Sequence, residues 1–176
     1  MSTITIQESG LSFGPFDSDR CFPIETSKTY AAIQNDGVKM AEFLWIKSEG
    51  QRRRVWIVEA KSSSPQPGNK QPFDKFIGEL RDKLVNGLSL GMAAILGRHP
   101  KTEEELPLAF KELELRSAEF LLLVVINGHA DEWLPPLDDA LNDALRTTIK
   151  TWALGANSVK VINDQMAIKH GLIAAT

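Results

Sequence analysis

The stretch Val38 to Lys61, VKMAEFLWIKSEGQRRRVWIVEAK, constrains this chain more than any other. Its apolar residues recur at every second position on either side of a polar centre. That is the period of two pleated strands folded back on each other. On the first, Val38, Met40, Glu42, Leu44 and Ile46 share a face; on the second, Val55, Ile57, Glu59 and Lys61 share one, and Trp56, Val58 and Ala60 the other. Each strand therefore sets a carboxylate among apolar neighbours, where an ionised group is costly unless it is paired or put to use.

The turn fixes which residues meet. Ser48-Glu49-Gly50-Gln51-Arg52 is the polar centre, and a turn between Gly50 and Gln51 sets Glu42 opposite Glu59. Opposed residues hold their Cβ atoms roughly 4.5–5.5 Å apart. Two carboxylates that close repel unless a cation or a shared proton intervenes. A divalent ion with oxygen ligands, Mg²⁺ above all, resolves the conflict and keeps waters for chemistry. Lys61 lies on the same face as Glu59 and roughly 6.6 Å further along the strand. Its ammonium can reach a metal-bound water, or the phosphoryl oxygen that the water attacks.

An acid, a spacer and then Glu-x-Lys at the end of an apolar strand resembles the PD-(D/E)XK nuclease superfamily, the restriction-endonuclease-like fold. Here the pattern is Glu42, sixteen intervening residues, then Glu59-Ala60-Lys61. The resemblance implies that Glu42, Glu59 and the Ala60 backbone carbonyl bind Mg²⁺, for which Mn²⁺ can substitute. It implies that Lys61 positions or activates the attacking water, and it marks Glu25 as an auxiliary acid on the preceding element. It departs from the family pattern at two positions: Glu42 stands where Asp is usual, and Ala41 where Pro is usual. The implied activity is hydrolysis of DNA phosphodiesters leaving a 5′-phosphate, in restriction, defence or repair. The alternative is a catalytically inactive nuclease-fold subunit serving as a protein- or DNA-binding module. A third reading makes Glu59 and Lys61 a charge pair on an edge strand of an unrelated α/β domain.

Composition bounds these readings. A chain of 176 residues with 43% hydrophobic and 24% charged residues is expected to form one domain with a proper core. The expected domain runs over residues 1–176, with a core at about 22–127 and a helix–strand–helix extension at 131–176. The single cysteine, Cys21, excludes an internal disulfide framework and suits a reducing cytoplasm. The first ten residues lack the pattern of a secretory signal, and no apolar run reaches membrane-spanning length. A net charge of −3 is unusual for a lone DNA binder. It points to a protein partner, a homodimer or a local basic patch as the source of grip. Arg52-Arg53-Arg54 is such a patch, although a solvated turn explains it as well.

Around the hairpin, residues 3–7 read as a strand and Glu8 to Arg20 as a turn-rich loop punctuated by Gly10, Gly14 and Pro15. Cys21 to Ile33 fits a strand or a short helix. Pro72 to Leu96 repeats apolar residues at helical spacing, and Lys83 and Asn86 on its other faces either reach the active cleft or, by default, lie on an exposed helix face. Glu119 to Ile126 is a continuous apolar run, the mark of a strand covered on both faces. Asp131 to Leu154 reads as a second long helix, Val159 to Ile162 as an edge strand, and Asp164 to His170 as a terminal helical turn. His99, His129 and His170 have no ligand-spaced partners. A strand–helix–strand connection from Lys61 to Ile126 makes those two strands parallel. The expected fold is α/β: a central mixed sheet flanked by helices.

Overall fold

The computed structural model describes residues 2–175. The chain opens with a hairpin, β1 (Thr3–Glu8) and β2 (Leu11–Asp17), closed by Ser9 and Gly10, both at positive φ. The sequence reading made Glu8–Arg20 a loop because Gly14-Pro15 interrupts the strand pattern. The pairing accommodates that dipeptide at a bulge, where the register shifts between Ile4 and Ile6. Gly14 has a φ of 101°, and an ideal Cβ there would lie 2.8 Å from the Ile4 carbonyl oxygen, so only glycine fits.

A short β3 (Cys21–Phe22), a 3₁₀ turn at Ile24–Thr26 and a single helical turn, α1 (Lys28–Ala31), resolve the ambiguous segment in favour of both elements. The central hairpin follows as β4 (Phe43–Glu49) and β5 (Arg52–Lys61), joined at Gly50-Gln51 as expected. The first strand starts later than its alternation suggested. Met40 and Ala41 are both buried in the same core, which breaks the two-residue period, and side chains satisfy the backbone there. Tyr30 Oη donates to the Val38 carbonyl and Asn86 Nδ2 to that of Lys39.

The long helix α2 (Lys70–Ile95) crosses over to β6 (Glu119–Ile126), with two short helices, α3 (Thr102–Glu105) and α4 (Leu108–Lys111), in between. The expected helix over Asp131–Leu154 is bent rather than continuous. A 3₁₀ turn leads into α5 (Leu134–Ala144), and α6 (Arg146–Thr151) follows after Leu145, whose ψ of 4° leaves the helical range. Then come β7 (Val159–Asn163) and α7 (Asp164–Lys169).

Strands β3–β7 form one mixed sheet in the order β3-β4-β5-β6-β7. The β3/β4 and β4/β5 pairs are antiparallel; β5/β6 and β6/β7 are parallel. The two faces of β5 divide the core. Val55 and Ile57 pack with Leu44, Leu122 and Val124 under α2 and α5, whereas Trp56, Val58 and Ala60 pack with Phe13, Phe16 and Phe43 beneath the N-terminal hairpin. Gly87 lets α2 approach: a Cβ there would lie 2.8 Å from Ile57 Cγ2 and 2.9 Å from the Ala41 Cβ. Glu59 and Lys61 continue the α2 face at the C-terminal end of β5. No helix is long and apolar enough to cross a membrane among the described residues.

Candidate active site

The β4/β5 register runs from Phe43↔Val58 to Glu49↔Arg52, so one further step would set Glu42 against Glu59. The ladder ends at Phe43, and Glu42 turns its N–H to the Val58 carbonyl instead, at 2.9 Å. The two carboxylates still converge on one ammonium. Lys83 Nζ lies 2.9 Å from Glu59 Oε1 and 3.5 Å from Glu42 Oε1. Lys61 Nζ is 2.9 Å from the same Glu59 oxygen. Glu59 is fully buried and Glu42 is 6% exposed, while the two lysines keep part of their side chains at the surface.

One orphaned acceptor and one backbone carbonyl belong to this centre. Glu59 Oε2 is buried with no hydrogen-bond partner. Val58 O points to the β4 side, and Lys61 O accepts from Asn127 N on the β6 side. Carbonyls alternate along a strand, so Ala60 O points to the β4 side, just where that ladder has stopped.

Two acids extend the cluster. Glu25 sits in the 3₁₀ turn after β3, and its N–H donates to the Glu42 carbonyl at 3.3 Å. Glu8 closes β1. Oxygens of Glu8, Glu25 and Glu42 lie within 4.8 Å of one another. Burial, a hydrogen bond that the protonated Glu42 carboxyl donates to Glu25, and the charges of Glu59 and Glu25 push the Glu42 carboxyl up to about 9. Burial also raises Glu59, against the pull of Lys83 and Lys61. Burial draws the Lys83 ammonium down, but the surrounding carboxylates outweigh it and hold that group above its ordinary value. The site thus keeps a proton and an ammonium among its acids, as crowded carboxylates require.

Of the residues expected from sequence, Glu42, Glu59, Lys61, the Ala60 carbonyl and Glu25 all meet here. Sequence reasoning missed Glu8, although it keeps phase with Ile4 and Ile6 on the inward side of β1. It also assigned Lys83 to an exposed helix face by default. Lys83 falls three residues after Leu80 and four before Gly87, inside the buried stripe of α2.

The other candidates lie elsewhere. Arg52–Arg54 stands at the opposite end of β5, roughly 20 Å from Glu59 at strand spacing, and Glu119 compensates both Arg52 and Arg54. Asn86 binds the Lys39 carbonyl, and His170 packs edge-on against Trp56. His129 Nε2 lies 2.7 Å from Ser64 Oγ, beyond the ends of β6 and β5.

The donor set suits a hard divalent cation. Carboxylate and carbonyl oxygens predominate, one buried oxygen lacks a partner, and the acids already gather round a positive charge. The chain matches no family model, no curated protein and no solved structure with which it was compared.

Proposed function

We propose that this chain is a metal-dependent deoxyribonuclease of the PD-(D/E)XK type. The observation that carries the reading is the meeting of Glu42, Glu59 and Lys61 at the C-terminal end of β5, with Glu59 Oε2 buried and unpartnered. The order of elements, a mixed sheet whose Glu-Ala-Lys strand is followed by a crossover helix and a parallel strand, supports it further.

In this reading Glu42, Glu59 and the Ala60 carbonyl hold Mg²⁺, or Mn²⁺ in its place. When bound, the ion lowers the pKa of a water and neutralises charge on the phosphate. Glu59 fixes the Lys61 ammonium at its own oxygen, from where that ammonium orients the water and stabilises negative charge gathering on the phosphoryl oxygens. The water oxygen would bond to phosphorus as the bond from phosphorus to the 3′ oxygen breaks, and the 3′ oxygen would leave as a hydroxyl with a proton from solvent, giving a 5′-phosphate. Glu25 and Glu8 bring two further carboxylates beside Glu42. Lys83, on a flexible stem, can turn from the carboxylates towards the phosphate. The setting is DNA handling in restriction, defence or repair, in the cytoplasm, with a protein partner or a second copy offsetting the weak net charge.

The test is cleavage of plasmid DNA with Mg²⁺ or Mn²⁺ by the wild type and by Lys61→Ala. Loss of one stabilising group of this kind lowers a rate about 10²–10³-fold. A wild type that cleaves with neither ion, and whose midpoint Mn²⁺ does not raise, overturns the reading. One observation favours a second reading in that event: the Lys83 ammonium already bridges both acids. The chain would then be an inactive nuclease-fold subunit that binds protein or DNA.

A further inference from the structure

A cavity of about 420 Å³ opens beside this site, between the loop that follows Lys61 and the segment that follows β6. The volume is within the roughly 300–1,000 Å³ typical of small-molecule sites. Its first wall, Ser64, is three residues beyond Lys61, at most about 11 Å along the chain. The facing wall is His129 and Trp133. The two rings meet edge to face with centroids 5.3 Å apart, and Trp133 is 57% exposed, an indole held out to solvent. The wall is preformed. Ser64 Oγ is within 2.7 Å of His129 Nε2, and Asn163 Nδ2 donates both to the His129 carbonyl and to Asp131 Oδ1.

The chemistry of the lining selects among occupants. Gln66 offers an amide and Glu132 a carboxylate, and the cavity has no lysine or arginine among its lining residues. Burial depresses the His129 ring, so it stays neutral at pH 7. Such a pocket repels a phosphate, while an indole face with nearby acceptors suits a flat, uncharged ring that carries N–H groups. A strand whose phosphate reached Lys61 would bring a ring of that kind alongside.

We infer that the Ser64–His129–Trp133 cavity is a subsite for one unpaired nucleobase next to the scissile phosphate. The proposal rests on the nuclease reading above and adds its substrate class, a strand whose base can leave the helical stack. A base stacked on Trp133 presents its edge to Gln66 and Glu132, and every base has a face to stack, so the subsite tolerates any sequence.

The test measures binding in EDTA, where no cleavage takes place. A fluorescein-labelled single strand of about ten nucleotides and an abasic strand of the same length are titrated by anisotropy against the wild type, Trp133→Ala and Trp133→Phe. The wild type should prefer the base-bearing strand. Trp133→Ala should lose about tenfold in affinity for it, in keeping with the stacking contribution of one base. Trp133→Phe should keep most of the affinity, and all three should bind the abasic strand alike. Quenching of wild-type indole fluorescence by the base-bearing strand, but not by the abasic one, reads the same contact without a variant. Equal wild-type affinity for the two strands, unaltered binding by Trp133→Ala, or no binding at all overturns the proposal. So does a proline-rich peptide that quenches the indole where the oligonucleotide does not. Cleavage with unaltered Trp133→Ala binding removes the subsite and spares the nuclease; base-selective binding without cleavage under Mg²⁺ does the reverse.

Discussion

Lys83→Met deletes the charge on which Glu42 and Glu59 converge and keeps most of the aliphatic stem. Removing one partner of a buried ion pair costs about 3–5 kcal/mol, because the other is left uncompensated. Lys61 stays at 2.9 Å from Glu59 Oε1, so the loss should fall at the lower end of that range. For a chain of this length each kcal/mol moves the midpoint by about 2–4 °C. The thermal midpoint at pH 8 should therefore drop by about 6–12 °C. Glu42 keeps its proton at both pH values, so the deficit reports on Glu59, and it should shrink from pH 8 to pH 5 because burial displaces the Glu59 carboxyl upward and makes it easier to protonate. In the account proposed here, Mn²⁺ at about 100 times its dissociation constant restores about 2.7 kcal/mol. Differential scanning fluorimetry at pH 5 and pH 8, with and without Mn²⁺, reads all three effects. An unchanged midpoint at pH 8, or a deficit that ignores pH, would refute the claim that Lys83 compensates the buried Glu59.

Other outcomes follow from the same geometry. The Glu42 carboxyl keeps its proton to about pH 9 in the fold and to about 4.5 in the unfolded chain. The folded state therefore binds more protons between those values, and stability should fall as pH rises, by up to about 1.4 kcal/mol per unit. Burial depresses His129 and His170, which gives the opposite slope only below their ordinary value of 6.5. Urea midpoints from pH 7 to 8, below the ordinary range of the buried Cys21 thiol, read the decline, and a rise over that interval would contradict it. Gly87→Ala should destabilise by about 1–3 kcal/mol, because the new methyl meets Ile57 and Ala41 in the core. Gly78→Ala, on the same helix with nothing within 4 Å, should stabilise by about 0.5–1 kcal/mol in denaturant titrations.

The sequence was most legible where a periodic pattern met a turn of fixed length. The two-residue alternation and the polar centre at Gly50-Gln51 yield the β4/β5 register, and with it the approach of Glu42 to Glu59. The uninterrupted apolar run of β6 marks a strand buried on both faces, and it lies at the centre of the parallel half of the sheet. Pattern failed where side chains replaced the ladder. Tyr30 and Asn86 hold the backbone before Glu42, and a bulge absorbs Gly14-Pro15. Turn residues from Glu8 onward mask the second strand of the N-terminal hairpin, and with it the inward place of Glu8. Lys83 was assigned to solvent because charge on a helix is usually solvated. Only the position of α2 over β5 shows that this turn of the helix faces two acids.

The central claim is that Glu42 and Glu59, from adjacent strand segments, hold a divalent cation beside Lys61. Crystals soaked in Mn²⁺ and measured at the manganese edge test it directly. An anomalous peak is expected within about 2.5 Å of oxygens from both carboxylates and from Ala60, with the Lys83 ammonium displaced. Lys83 still bridging the two acids at saturating Mn²⁺, with no peak between them, would contradict it.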